Sequence, residues 1–443
     1  MKLYDFLKLR MLNTPNKTIS DEVNTITYQE ILNYAESFSQ YLTHNKYGIL
    51  CKSELNTAKV LMACLNAGVT AVLLSDRYGE IHTQKIIEKI NIQYIISDNF
   101  IEEVKAKNTE SEDLSDVALI MCTSGTTGSP KGAMITDENI ITNLSDIEDY
   151  FEINSSDKIL IARPLYHCAV LTGEFFISLI KGLDIVFHNT EFNPVKIVQA
   201  IYKNNITVMC GTPTLFYHLC NIAKRQTETL PLKTIAISGE CMTDSVAEII
   251  KNTMPQIRAY NVYGLTEASP RVSYLAPDNF DKNPLSVGVP LKSLEVKIVD
   301  NELLVKGKSV MKGYYNDVQA TRKVIIDGWL HTGDIAKIDG NGFINIKSRK
   351  DNMIIRAGMN IYPQEIENAL KQDERIIDLL AYGVKDEKVG QKIYLKIVSD
   401  QLSKSEVFEI CKMVLPPYQY PDSIEFVDEI PKNASGKVIR SYL

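Results

Sequence analysis

The sequence predicts an α/β protein whose sheets are mostly parallel and whose chain divides into more than one domain. Three observations point there. Strand-like and helix-like stretches alternate along most of the chain, the pattern of helices layered on sheets. The 443 residues, 45% of them apolar, exceed what a single core organises. A charged run, Lys347-Ser348-Arg349-Lys350-Asp351, is followed by a separate α/β unit of modest size.

Taken in order, Thr27-Tyr28-Gln29-Glu30 reads as a capping box, followed by Ile31, Ala35, Phe38 and Leu42 at helical spacing. Residues 61–67 read as a helix stopped by Gly68, and 69–74 as a buried strand. Residues 85–90 and 92–97 repeat that unit before an acidic, solvated connection over 102–116. The apolar run 117–121 is a strand, and 158–162, 184–187, 206–210, 234–238 and 257–262 continue the series. Helices lie between them: Asn193 with Pro194, and Thr212 with Pro213, place a cap and a first-turn proline in succession. Residues 294–306, bent at Asp300-Asn301, form an antiparallel hairpin. The strand 343–346 leads into the charged run, read as a solvated turn; beyond it Pro363 opens a helix, and 379–384 and 393–398 read as strands.

A formal net charge of -7 gives no electrostatic footprint for nucleic acid. The eight cysteines form no C-x-x-C pair, and several sit in apolar runs, as buried thiols of a reducing compartment do. The six histidines lack metal-ligand spacing, which argues against zinc. Residues 1–12 carry Lys2, Asp5, Lys8 and Arg10 without a signal-peptide core, and no run approaches the roughly 18 apolar residues of a membrane span. The expectation is a cytoplasmic protein.

The chemistry concentrates in Met121-Cys122-Thr123-Ser124-Gly125-Thr126-Thr127-Gly128-Ser129-Pro130-Lys131-Gly132. A buried strand runs into a loop whose glycines 125, 128 and 132 let backbone turn with positive φ and approach an anion, while Thr123, Ser124, Thr126, Thr127 and Lys131 supply donors. A Walker A loop needs Gly before the Lys and Ser or Thr after it, and here those places are Pro130 and Gly132. This is a phosphate loop of another kind. A tail, Pro431-Lys432-Asn433-Ala434-Ser435-Gly436-Lys437, reads as an exposed loop with one conspicuous lysine.

Together with Tyr263-Gly264-Leu265-Thr266-Glu267, Gly328-Trp329-Leu330-His331-Thr332-Gly333-Asp334 and Arg349-Lys350-Asp351, those two segments resemble, in order, the motifs of the acyl-adenylate-forming superfamily. That group includes acyl-CoA synthetases, aryl-acid and nonribosomal-peptide adenylation domains and firefly luciferase, and the motif style is nearest to bacterial AMP-forming acid–CoA ligases. The resemblance implies a large N-terminal domain, residues 1–349, of layered α/β subdomains, and a small mobile α+β domain, residues 350–443, with the site between them. It implies activation of a small-molecule carboxylic acid by ATP and Mg²⁺ to an acyl-AMP, then transfer to the thiol of coenzyme A or of a pantetheinylated carrier protein. An enzyme that loads a carrier protein or an amine differs only at this acceptor step; a regulatory module that lost catalysis is the remaining alternative.

Residue by residue, the resemblance makes Lys437 the catalytic lysine bridging carboxylate and α-phosphate, Thr266 a donor to the α-phosphate and Glu267 the Mg²⁺ ligand. Thr123, Ser124, Gly125, Thr126, Thr127, Gly128 and Lys131 would hold the β- and γ-phosphates. Asp334 would accept both ribose hydroxyls with Arg349 assisting, Tyr263 would stack beside the adenine, and Gly239 and Glu240 would bring backbone against it. Asp351 matches the hinge that exchanges Lys437 for the loop Arg356-Ala357-Gly358-Met359-Asn360. Two departures stand out: Ser348 where many members have Gly, and Met359 where many ligases have an acidic residue. Pro164-Leu165-Tyr166-His167 resembles the acid-pocket motif with His167 as its gate, and Gly211 to Thr214 and Ala268 to Arg271 complete the wall. No Asp lies between Cys168 and Phe176, although Glu174 does, which favours an acid without an α-ammonium group.

Overall fold

A computed structural model describes residues 1–75, 80–104, 112–123, 130–188, 192–226, 229–356, 359–386 and 388–431. Local signals act where the sequence places them. Thr27 Oγ1 accepts the Glu30 amide at 3.1 Å and Glu30 Oε2 accepts the Thr27 amide at 2.7 Å, starting the helix Tyr28–Ser39. Asn193 and Thr212 cap Pro194–Asn204 and Pro213–Ala223 by accepting the Lys196 and Leu215 amides, each helix with its proline in the first turn. Gly68 ends the helix Glu54–Ala67 at φ +70, a helix that begins earlier than expected because Ser53 caps it through the Asn56 amide. Asp300 and Asn301, at φ +50 and +64, form the two left-handed positions of a hairpin turn between Leu294–Val299 and Glu302–Gly307.

Among the described residues the strands assemble into four sheets. The nine-stranded sheet is parallel through Asp184–Phe187, Lys158–Ile161, Val208–Gly211, Thr234–Ile237 and Arg258–Gly264, with antiparallel strands finishing its edges. The seven-stranded sheet joins parallel Lys46–Ile49, Thr70–Leu73 and Val117–Thr123 to the antiparallel Lys131–Thr136 and Gly313–Tyr314. A third, antiparallel sheet contains Trp329–Ile338 and Ile344–Arg349. The fourth takes all its described strands from residues 354–426, as does the apolar core beneath it. The large layered α/β domain and the small C-terminal domain are therefore both present. Among the described residues no helix is long and apolar enough to cross a membrane.

Two stretches depart from the sequence reading, and a third is one that reading left unassigned. Lys347, Ser348 and Arg349 extend a strand rather than making a turn, because Ser348 pairs with Ile335 and is buried. The first two residues of the expected acidic connection, Glu102 and Glu103, end an exposed edge strand, Phe100–Glu103, that pairs with Tyr94–Ser97. Residues 1–12 contain the helix Leu3–Met11, whose Leu3, Leu7 and Met11 lie on one buried face at four-residue spacing.

Candidate active site

The strand Val117–Thr123 and its antiparallel partner Lys131–Thr136 frame the phosphate loop, with Thr123 opposite Lys131. Ser124, Gly125, Thr126, Thr127 and Gly128 lie outside the described residues, as does the Thr123 side chain. Gly132 serves packing rather than a left-handed turn, a correction to its expected role. It sits within a strand, and a Cβ there would fall 2.3 Å from Ile90 Cδ1 and 2.7 Å from Ile120 Cγ2.

Lys131 reaches the Thr266-Glu267 turn through a residue the sequence motifs did not mark. Its Nζ stands 5.1 Å from the ring centroid of Tyr314, whose hydroxyl donates to Glu267 Oε1 at 2.7 Å. Burial, and then the charge of Glu267, push the Tyr314 phenol far above its usual pKa, so it is a donor at any physiological pH. The chain around it is tied to both sides: the Met311 amide donates to the Glu267 carbonyl at 2.9 Å and the Tyr315 amide to the Gly132 carbonyl at 2.8 Å. The only local hint was Gly313-Tyr314-Tyr315, and nothing in it specifies Glu267 as partner.

Helix Asp137–Tyr150 clamps the same turn. Asn143 Nδ2 donates to the Arg271 carbonyl at 2.8 Å, and its Oδ1 accepts the Arg271 amide at 3.2 Å. Gly264 faces the return path so closely that a Cβ would lie 2.2 Å from the Pro270 carbonyl oxygen. Gly264→Ala is therefore expected to cost about 1–3 kcal/mol by overpacking and to displace Thr266 and Glu267. A thermal melt and the rate of acid-dependent AMP formation check this; unchanged kinetics would mean the turn tolerates displacement.

Asp334 is the second hub. It is 6% exposed, and its Oδ2 accepts the Tyr263 hydroxyl at 2.5 Å while its Oδ1 accepts Arg349 Nη1 at 3.1 Å. Strand register brings Arg349 there, since Asp334 and Arg349 are paired across the third sheet. Each carboxylate oxygen keeps a second lone pair for a hydroxyl donor. Arg349 also donates to the Thr332 carbonyl at 2.7 Å, and Lys350 pairs with Glu302 at 3.1 Å. Arg349 is thus tied to the strand that carries Asp334, and Lys350 to the neighbouring strand Glu302–Gly307.

Gly239 takes φ +92, and Glu240 Oε2 accepts the Thr214 hydroxyl at 2.7 Å, which fastens this turn to the Gly211–Thr214 segment. The His167 ring lies 4.3 Å from that of Tyr166. Burial pushes the adjoining Cys168 thiol up to about 12, against a smaller lowering by its hydrogen bond with Thr172. Glu174 is taken by Arg163, whose Nη2 donates to its Oε1 at 2.5 Å. Lys437 lies outside the described residues, and so does the Asp351 side chain.

The partly buried carboxylate of Glu267 could hold Mg²⁺. That ion is held by one or two carboxylates together with substrate phosphates rather than by an all-protein cage. A lysine and two carboxylates, Lys131, Glu267 and Asp334, are groups that could bind the phosphates, metal and ribose of a nucleoside triphosphate.

The comparisons agree with that geometry. Residues 97–315 match the model of the AMP-binding enzyme family, and residues 365–437 that of the AMP-binding enzyme C-terminal domain. A 2-succinylbenzoate–CoA ligase of Bacillus licheniformis is 30% identical over 427 residues, covering 89% of this chain and 88% of that enzyme. A feruloyl-CoA synthase of an Amycolatopsis species is 31% identical over 358 residues, 76% of this chain and 72% of its own length. The o-succinylbenzoate CoA synthetase of Bacillus subtilis, solved with its acyl-adenylate intermediate, superposes with a TM-score of 0.87 at 26% identity, over 99% of this chain and 97% of that one. A structure of the same Bacillus subtilis enzyme holds ATP and magnesium. Motif order, site geometry and these likenesses agree, and the chain belongs to the AMP-binding enzyme family.

Proposed function

We propose that this chain joins a carboxylic acid lacking an α-ammonium group to coenzyme A. It is an AMP-forming acid–CoA ligase that uses ATP and Mg²⁺. In the first step a carboxylate oxygen attacks the α-phosphorus of ATP; the α–β anhydride bond breaks, pyrophosphate leaves and a mixed carboxylic–phosphoric anhydride forms. In the second, the thiolate of coenzyme A attacks the acyl carbon and AMP departs.

Two anions must meet in the first step. A unit-charge repulsion at 4 Å grows from about 1 kcal/mol in water to about 4 at an effective dielectric of 20. Lys131, with Thr123, Ser124, Gly125, Thr126, Thr127 and Gly128, holds the β- and γ-phosphates, and Thr266 donates to the α-phosphate. Glu267, together with the phosphates, would hold Mg²⁺, which would supply further charge neutralisation. Lys437 bridges the attacking carboxylate and the α-phosphate as charge moves between them. Asp334 accepts the ribose hydroxyls, Arg349 orients it, Tyr263 lies along the adenine, and Gly239 and Glu240 offer backbone to its edge. His167 gates the acid.

The domains meet at 349/350 in this reading. A turn about Asp351 takes Lys437 out and brings the 356–360 loop in for thioester formation. Met359, 43% exposed, stands in that loop as an uncharged member. The eight free cysteines are in keeping with a reducing cytoplasm.

The observation that carries this proposal is the line from Lys131 through Tyr314 to Glu267, beside the Asp334 hub. ATP–pyrophosphate exchange with a panel of carboxylic acids tests it, followed by mass analysis with coenzyme A and, separately, with a pantetheinylated carrier protein. Acid-dependent exchange and an acyl-CoA product are expected. No exchange would end the reading, and a product on the carrier alone would replace coenzyme A as the acceptor.

A further inference from the structure

Arg163, Glu174 and Arg271 form a buried charge cluster that the adenylation steps do not use. Arg163 and Glu174, with side chains 10% and 1% exposed, form an ion pair at 2.5 Å. Glu174 is held inward by a π-helical turn, Leu171–Phe176, in which all six residues are buried. Arg271, 5% exposed, lays its guanidinium over Gly173, where a Cβ would come within 2.5 Å of Nη2. Its charge acts on Glu174, yet no ion pair closes between them among the described residues. The cluster holds two guanidiniums against one carboxylate.

Its polar atoms are also incompletely partnered. Arg271 Nη1, Arg163 Nε, Glu174 Oε2 and Ser269 Oγ are buried without a hydrogen-bond partner among the described residues. A buried guanidinium left without an anion is costly, because it has lost its hydration and gained no partner. Both arginines sit on segments expected to wall the acid pocket: Arg163 immediately precedes Pro164-Leu165-Tyr166-His167, and Arg271 ends the Ala268-Ser269-Pro270-Arg271 stretch after Glu267. Gly173 supplies the space that the Arg271 head needs.

We propose that Arg271, positioned by Arg163 and Glu174, determines specificity by receiving a second carboxylate at the far end of the acid, so that the substrates are dicarboxylic acids activated at one end. The inference rests on the acid-activating function proposed above and deepens it. A planar guanidinium pairs with a carboxylate in bidentate fashion. An apolar acyl tail would leave Nη1 unsatisfied, and an α-ammonium group would meet net positive charge.

The test is ATP–pyrophosphate exchange with chain-matched dicarboxylic acids, their monomethyl esters and the corresponding monocarboxylic acids. Wild-type protein is compared with Arg271→Met and Arg271→Lys. Wild type should favour the diacid by at least about tenfold in kcat/KM, the worth of one charge-assisted hydrogen bond. Arg271→Met should lose that preference chiefly through KM for the diacid, with KM for ATP kept, and Arg271→Lys should restore part of it. Wild type that takes monoesters as well as diacids overturns the inference and leaves the ligase function intact. So does an Arg271→Met protein that loses all three classes alike with KM for ATP kept. No exchange with any acid overturns both. Should Arg271→Met fail to fold, the wild-type ratio decides alone.

Discussion

Replacing Lys437 with alanine is expected to slow acyl-adenylate formation by about 10²–10³-fold, the usual cost of removing one preorganised donor from developing charge. Thioester formation from supplied acyl-adenylate and coenzyme A should stay within about threefold, because the proposed turn about Asp351 has withdrawn the lysine by then. Pyrophosphate exchange reads the first step and single-turnover thioester formation reads the second. Equal losses in both would mean one arrangement of the domains serves both reactions, and the exchange of Lys437 for the 356–360 loop would have to be given up.

Asp334→Ala should raise KM for ATP by about 10²-fold, since hydrogen bonds to a charged acceptor are worth about 1.5–3 kcal/mol each. The loss is larger than a ribose contact alone would give. Asp334 also holds the Tyr263 hydroxyl and Arg349 Nη1, so its removal frees the Tyr263 ring and the guanidinium of Arg349 together. Arg349→Ala should therefore be non-additive with Asp334→Ala, by about 0.5–3 kcal/mol in a double-mutant cycle. ATP binding by calorimetry checks both, and unaltered affinity in Asp334→Ala would remove the ribose assignment.

Much of the scaffold was legible because its signals are short-range. The Thr27–Glu30 box, the Asn193-Pro194 and Thr212-Pro213 starts, the Gly68 stop and the Asp300-Asn301 bend are each decided within a few residues of backbone. Misjudged stretches share the opposite property. Lys347 to Arg349 look like a solvated turn by charge, but pairing with Trp329–Ile338 makes them strand. The helix Leu3–Met11, which the sequence reading left unassigned, is held where Leu3, Leu7 and Met11 join the main core.

The site divides along the same line. From the residues alone came the α/β class and the expectation of a phosphate loop that is not a Walker loop, while the resemblance of the ordered motifs to a family named Lys131, Thr266, Glu267, Asp334 and Arg349. Tertiary structure alone decided that Tyr314 joins Lys131 to Glu267, that Tyr263 and Arg349 share Asp334, and that Arg163 rather than a substrate amine takes Glu174. A cap or a turn is settled by hydrogen bonds three residues apart. Tyr314 and Glu267 stand 47 residues apart, Tyr263 and Asp334 71. Such pairs meet only when sheet register and layer packing have set the distance between strands, and no local pattern of side chains encodes that distance.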